Sequence, residues 1–182
     1  MICRGLLWSG FAPPQPQRRA STRTLRTFTH NSDPGRWRLT MGTPSGQLAA
    51  LVDFFWDVAG TTTFPQQKIL PEARYFLIFN LAGAHGVVER DSTVRPYQRA
   101  WTLGLQEEHL IAESSGYTHL VGVRFHLAGA YRFFRMPLNV FTGRVIEVED
   151  LFGLMFGLWA EQLAGCMDSR ARFILLSSLI ER

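Results

Sequence analysis

The sequence predicts an α+β fold, an antiparallel β-barrel or sandwich with a short N-terminal helix and C-terminal helices. Three observations predict it. Short segments rich in β-branched and aromatic residues follow one another through the middle of the chain, separated by turn residues and not by helices. An amphipathic stretch precedes them, and stretches of helical apolar periodicity follow. The 182 residues are 46% hydrophobic and include fourteen Phe and five Trp, which supplies a core for one main domain and excludes a disordered chain.

Residues 1–40 read as an unfolded leader. They combine Pro13, Pro14 and Pro16 with scattered Arg, Ser and Thr, and show no sustained period. Seven arginines (Arg4, Arg18, Arg19, Arg23, Arg26, Arg36, Arg38) stand there against Asp33 alone, a charge of +6. The remaining twelve bases and fourteen acids give −2, so the formal +4 of the whole chain reports the leader and not a basic binding face on the domain. An Arg-rich, acid-poor leader is also the pattern of an organelle transit peptide. The simplest expectation is a dispensable extension, with Met41 the natural start and residues 41–182 a single domain, β-rich over 60–126 and helical over 127–182.

Leu48, Leu51, Val52, Phe55 and Trp56 fall at i, i+3, i+4, i+7 and i+8, the spacing of one helical face, after the turn-prone Thr43-Pro44-Ser45-Gly46. Gly60 would end that helix. Strands are expected at residues 75–81, 87–89, 100–104, 109–113 and 119–125. Gly83-Ala84-His85-Gly86, Asp91-Ser92 and Ser114-Ser115-Gly116 supply turns between them. Residues 128–136 read as a helix stopped by Pro137, residues 147–165 as a second with Val148, Leu151, Phe152, Met155, Trp159 and Leu163 on one face, and residues 170–180 as a third. No repeat of 20–50 residues is present, which excludes solenoids and propellers.

The longest apolar runs, such as residues 75–79, fall far below the roughly 20 residues that span a bilayer as a helix, so no membrane partner is expected. Cys3 and Cys166 lie in unrelated contexts, which argues against a disulfide framework and fits a reducing cytoplasm.

No residue pattern announces catalysis. The five histidines, His30, His85, His109, His119 and His126, form no His-x-His pair, and no cysteine pair has ligand spacing, so no metal and no cofactor is expected. His119 and His126 read as strand residues satisfied by hydrogen bonds. Ser114 and His119 are close in sequence but fit a hairpin turn better than a nucleophile and base. Lys68 is the single lysine and serves no phosphate loop. Glu147, Glu149 and Asp150 suit a helix start.

The strand at 119–126 is more informative. Alternation separates Val121, Val123 and Phe125 from Leu120, Gly122, Arg124 and His126. With the first set in the core, Arg124 lies on the opposite face beside the small Gly122, either locking a neighbouring carboxylate or binding an anion. Trp56, Phe76, Phe79 and Trp101 either line an apolar pocket or fill the core.

Taken in order, these elements resemble a known family. The run Leu48-x-x-Leu51-Val52-x-x-Phe55-Trp56 is followed by Ile69-Leu70-Pro71-Glu72-x-x-Tyr75-x-Leu77-Ile78-Phe79-Asn80-Leu81. Gly104 and Val121-Gly122-Val123-Arg124-Phe125 come next, and then Gly129-Ala130, Phe133-Phe134 and Val148-Glu149-Asp150-Leu151-Phe152-Gly153. Over about residues 43–181 this resembles the amino-terminal sensor domain of AraC-type bacterial transcriptional regulators. His126-Leu127-Ala128-Gly129-Ala130 departs from the Pro-Gly-Gly-like link usual there.

The resemblance implies a cupin-like barrel that detects a small-molecule effector, associates as a homodimer and is not an enzyme. It also implies a truncated or stand-alone form without the helix-turn-helix half, which would not bind specific DNA by itself. Expected ligand-binding residues are Arg124, His126, Trp56, Phe76 and Trp101; expected dimerisation residues are Leu151, Met155 and Trp159. The alternative is a small metal-independent barrel enzyme acting on a polar metabolite, with Arg124 as anion clamp and His126 or His119 as acid and base. A third reading gives the leader a salt-sensitive nucleic-acid contact.

Overall fold

The computed structural model describes residues 24–181, Ser115 by its backbone alone. Its strands, in chain order, are β1 (Leu25–Ser32), β2 (Gly35–Gly42), β3 (Val52–Thr62), β4 (Gln66–Ile69), β5 (Tyr75–Val88), β6 (Val94–Tyr97), β7 (Ala100–Leu103), β8 (Leu110–Phe125) and β9 (Val145–Glu147). The helices are α1 (Leu127–Phe134), α2 (Val148–Phe152), α3 (Met155–Ala164) and α4 (Ser169–Ile180), with 3-10 turns at Gly46–Ala50 and Leu138–Phe141. One antiparallel sheet runs β1-β2-β3-β8-β5-β7-β9, with β4 also paired to β8 and β6 to β5.

The two longest strands curl this sheet into a half-barrel. Along β8, β3 pairs with the C-terminal part and β4 with residues 110–113. Along β5, β7 pairs with residues 76–79 and β6 with residues 85–88. Each long strand thus passes from one pair of neighbours to another and must bend between them. The bends fall where turns were expected. Gly83 (φ 94°) and Gly116 (φ 68°) kink β5 and β8 without ending them, and the pairing register slips at Asn80/Ala82 and Ala82/Ala84.

Two further expectations are corrected. Residues 25–42 are a β-hairpin and not an unfolded leader: Leu25 pairs with Gly42 and Ser32 with Gly35 around Asp33 and Pro34, and β2 continues into β3. Trp37, Leu39 and Met41 alternate towards the interior, a short period-2 signal set among arginines. Residues 1–23, the rest of the expected leader, lie outside the described residues. The expected helix over 48–56 is only a 3-10 turn followed by β3. That strand is buried on both faces, Val52 and Phe55 on one and Phe54 and Trp56 on the other, with a bulge between Val52 and Phe54. A strand buried on both faces reads as a run of apolar residues that also satisfies helical spacing.

The sheet separates two cores. Outside the curl, Phe55, Leu77, Phe79, Val121, Val123 and Phe125 pack against helical residues including Phe134, Phe156, Leu163, Phe173 and Leu176. Inside it, Leu39, Phe54, Trp56, Phe76, Ile78, Trp101 and Leu103 pack together. The expected helix over 147–165 divides at Gly153, whose φ of 74° no helix continues, into α2 and α3. Asp168 caps α4 by accepting from the Ala171 N–H at 2.8 Å. No described helix is long and apolar enough to cross a membrane.

Candidate functional site

Where β2, β3, β5 and β8 meet, the inward side chains leave a cavity of about 110 Å³. Alternation decides what lines it. From β3 come Val58, Gly60 and Thr62, from β8 Ala112, Ser114, Thr118 and Leu120, and from β2 Trp37. Phe64, Gln67 and Ile69 close one side. On β5 the even-numbered Phe76 and Ile78 point inward before the register slip, whereas His85 and Val87 do so after it. The slip therefore delivers His85 to the cavity, opposite its partner Ser114.

Among the described residues of this lining His85 is the one titratable side chain, and none is Arg, Lys, Asp or Glu. Its Nε2 is buried and has no hydrogen-bond partner among the described residues. Burial pushes its pKa down to about 4, against a backbone hydrogen bond with Ala82, so the ring is neutral at physiological pH. The Trp37 ring is stacked on its other side by His30, with centroids 3.8 Å apart and planes at 19°. The hairpin thus holds a cavity wall in place.

The outward residues next to this lining form a charged clamp. Asp57 precedes Val58 and His119 precedes Leu120, and both lie on the helical side of the sheet. Asp57 Oδ1 is 2.8 Å from His119 Nε2, and Asp57 Oδ2 accepts from Arg172 Nη1 of α4 at 3.0 Å. Arg172 also donates from Nε to the Leu163 carbonyl at 3.1 Å and from Nη2 to the Cys166 carbonyl at 2.8 Å. Burial raises the Asp57 pKa, but hydrogen bonds from His119 and Ser169 and the nearby charges of His119 and Arg172 outweigh it and hold the carboxyl below its ordinary value. His119 is thus a hydrogen-bonded strand residue, as its position suggested.

Arg124 takes the ion-pair alternative. Its Nε and Nη2 donate to Asp53 Oδ2 at 2.8 and 2.6 Å, its Nη1 pairs with Glu72, and its guanidinium lies over the Phe54 ring, 4.4 Å from the centroid. Burial and the Asp53 charge raise the Glu72 pKa and outweigh the opposing pull of Arg124 and Arg74. Gly122 leaves no empty space beside it: the indole of Trp56 fills it, 2.3 Å from where a Cβ would stand.

The residues expected to bind a ligand are not brought together around the cavity. Trp56 and Phe76 are interior core, and Trp101 packs on Tyr97 and His85 at centroid distances of 5.6 and 5.9 Å. His126 stands at the start of α1, its N–H donating to the Leu51 carbonyl at 3.0 Å, and Arg124 is held by two carboxylates. Sequence reasoning missed Trp37 and His85, the first because the hairpin was read as leader and the second because its strand was read as a turn. The expected association residues divide likewise. Trp159 is buried against Phe79 and Phe156, Leu151 is partly buried, and Met155 is exposed beside Leu154 and Leu158.

A curled antiparallel half-barrel with an interior cavity and helices on its outer face is a cupin-like architecture. The chain belongs to the DUF6597 family, described as a domain of unknown function, whose model matches residues 41–147. That span includes β3, β5 and β8 but leaves α2, α3, α4 and most of the β1–β2 hairpin outside. No curated protein matches the chain.

Similar solved structures include the AraC-like transcriptional activator CuxR, at 11% identity and a TM-score of 0.40, over 86% of this chain and 59% of that one. A cupin-2 domain from Rhodospirillum rubrum is similar at 12% identity and a TM-score of 0.35, over 69% of this chain and 90% of its own. The Fe(II) form of HppE is similar at 16% identity and a TM-score of 0.39, over 65% of this chain and 62% of its own. This chain thus spans less than two thirds of both HppE and CuxR.

Among the described residues the cavity lining carries one imidazole and no carboxylate, and no group of three His, Cys, Asp or Glu that could hold a metal ion is gathered.

Proposed function

We propose that the chain is the effector-sensing domain of an AraC-type transcriptional regulator, a binding domain and not an enzyme, acting in the cytoplasm. One observation carries this: β3 and β8 line the cavity with Val58 and Leu120, and the adjacent Asp57, held by the adjacent His119, grips Arg172 of α4. Val58 and Leu120 are paired across the ladder, so a molecule that spreads or shifts them moves both ends of the clamp on Arg172. A ligand that favours one arrangement of the β3–β8 pair thereby favours one placement of α4, which is what a sensor requires. The order of sequence motifs over residues 43–181 gives independent support for the regulator class. Among the described residues a single titratable side chain lines the cavity, which suits recognition better than acid–base chemistry.

The test needs no ligand. Leu120→Phe adds bulk to the cavity wall, and amide hydrogen exchange then reads α4. Protection across α4 is expected to change by about tenfold while α1 stays as it was, and Arg172→Met is expected to abolish that response. Unchanged α4 protection in Leu120→Phe would remove the function proposed.

We assign self-association to the exposed apolar face of α3 formed by Leu154, Met155 and Leu158, the first of which is 72% exposed. Sedimentation equilibrium is expected to show a dimer that Leu154→Glu with Leu158→Glu converts to monomer. A wild-type monomer at high concentration would refute this part.

A further inference from the structure

We infer that the cavity takes a small uncharged molecule of about one ring's size whose hydroxyl hydrogen-bonds to His85 Nε2, a ligand of the phenol class. This assignment rests on the cavity being the effector site.

Size sets the first limit. A dry cavity of about 150 Å³ accepts benzene. The 110 Å³ here is on the scale of a single small ring. Charge sets the second. Among the described residues of the lining none is ionised, which leaves a carboxylate, phosphate or ammonium without a counter-charge from them in a site walled by Trp37, Phe64, Val58 and Leu120.

Hydrogen bonding sets the third limit. The ring is neutral, so Nε2 is either a donor or an acceptor, and a hydroxyl, which both donates and accepts, satisfies it in either form. That buried atom has no partner among the described residues, so a guest that hydrogen-bonds to it removes the cost of leaving it unpaired. Thr62 already donates to the Phe64 carbonyl at 3.1 Å and Thr118 faces the Gly60 carbonyl at 3.5 Å, so neither competes for Nε2. A phenolic or small alcoholic hydroxyl meets all three conditions.

Calorimetric titration of the full chain with phenol, toluene and benzoate tests this. Toluene has the shape of phenol without the donor, and benzoate adds a charge. Phenol is expected to bind at least about tenfold more tightly than toluene, because toluene leaves Nε2 unsatisfied, and benzoate is expected not to bind. In His85→Leu the preference for phenol over toluene is expected to vanish. Equal binding of phenol and toluene to the wild type, preference for benzoate, or no binding of phenol would each overturn the assignment without using the variant. The exchange response of Leu120→Phe judges the sensor function separately. Selective phenol binding with no α4 response would leave the ligand class standing and sink the sensor, and the converse would sink the ligand class alone.

Discussion

Asp57 and Arg172 are 115 residues apart in the chain, yet their side chains meet at 3.0 Å in the layer between sheet and helices. Both are buried, and each guanidinium nitrogen of Arg172 donates: Nη1 to Asp57, and Nε and Nη2 to the carbonyls of Leu163 and Cys166 at the end of α3. A single guanidinium therefore fixes α3 to α4 and both to β3. An apolar layer would hold these helices through Phe173 and Leu176 alone, with less control over their placement.

Removing one member of this pair strands the other. Asp57→Ala leaves a buried, uncompensated arginine and is expected to cost about 3–5 kcal/mol in urea unfolding. Asp57→Leu combined with Arg172→Met replaces the pair by apolar side chains and is expected to recover most of that loss. The double variant should nevertheless lose the α4 exchange response to a filled cavity, which separates the stability of the clamp from its role in coupling.

The depressed pKa of His85 gives stability a dependence on acid. Its folded value of about 4 lies below the 6.5 of the unfolded chain, so between these values the unfolded state binds more protons. Stability from this group is then present above pH 6.5 and lost as pH falls towards 4. The loss is expected to be about 2 kcal/mol after allowing for the partial exposure of the ring. Guanidinium unfolding at pH 7.5 and 4.5 measures it, and His85→Leu should flatten the difference by that amount.

Gly122 faces Trp56 directly in the β3–β8 register. A methyl group there would stand 2.3 Å from the indole, so Gly122→Ala must displace a ring that is only 3% exposed. The expected cost is about 1–3 kcal/mol in thermal unfolding. Trp56→Phe in the same chain removes the colliding ring and should restore part of the loss, which distinguishes crowding from any change in strand propensity.

Legibility in the sequence followed the number of faces an element buries. The strand at 119–125 alternates cleanly, and its division of Val121, Val123 and Phe125 from Arg124 is the one observed. The helix expected over 170–180 is observed as Ser169–Ile180. β3 was misread because it buries side chains on both faces, which turns a period of two into an apolar run. The cavity was invisible for a different reason. Gly83 and Gly116 carry turn signals but act as kinks within 14- and 16-residue strands, and only pairing with a distant partner decides between turn and kink. The register slip that aims His85 inward is likewise a property of the β5–β8 pair and of neither strand alone.

The β1–β2 hairpin supplies the last prediction, because it is the part a reader of the sequence would discard. A chain started at Met41 loses Leu39 from the interior core and Trp37 from the cavity wall, and it leaves the edge of β3 unpaired over residues 57–62. Burial of Leu39 and Trp37 alone is worth about 3 kcal/mol or more, and an exposed strand edge invites association. The shortened chain is expected to melt well below the full one and to aggregate in light scattering at concentrations where the full chain does not. Trp37→Ala separates the two effects: it should keep the edge covered and the protein soluble while weakening phenol binding. A shortened chain with unchanged melting temperature would show that the hairpin only rests on the sheet. Loss of stability with phenol binding intact in Trp37→Ala would show that the hairpin supports the fold without shaping the cavity.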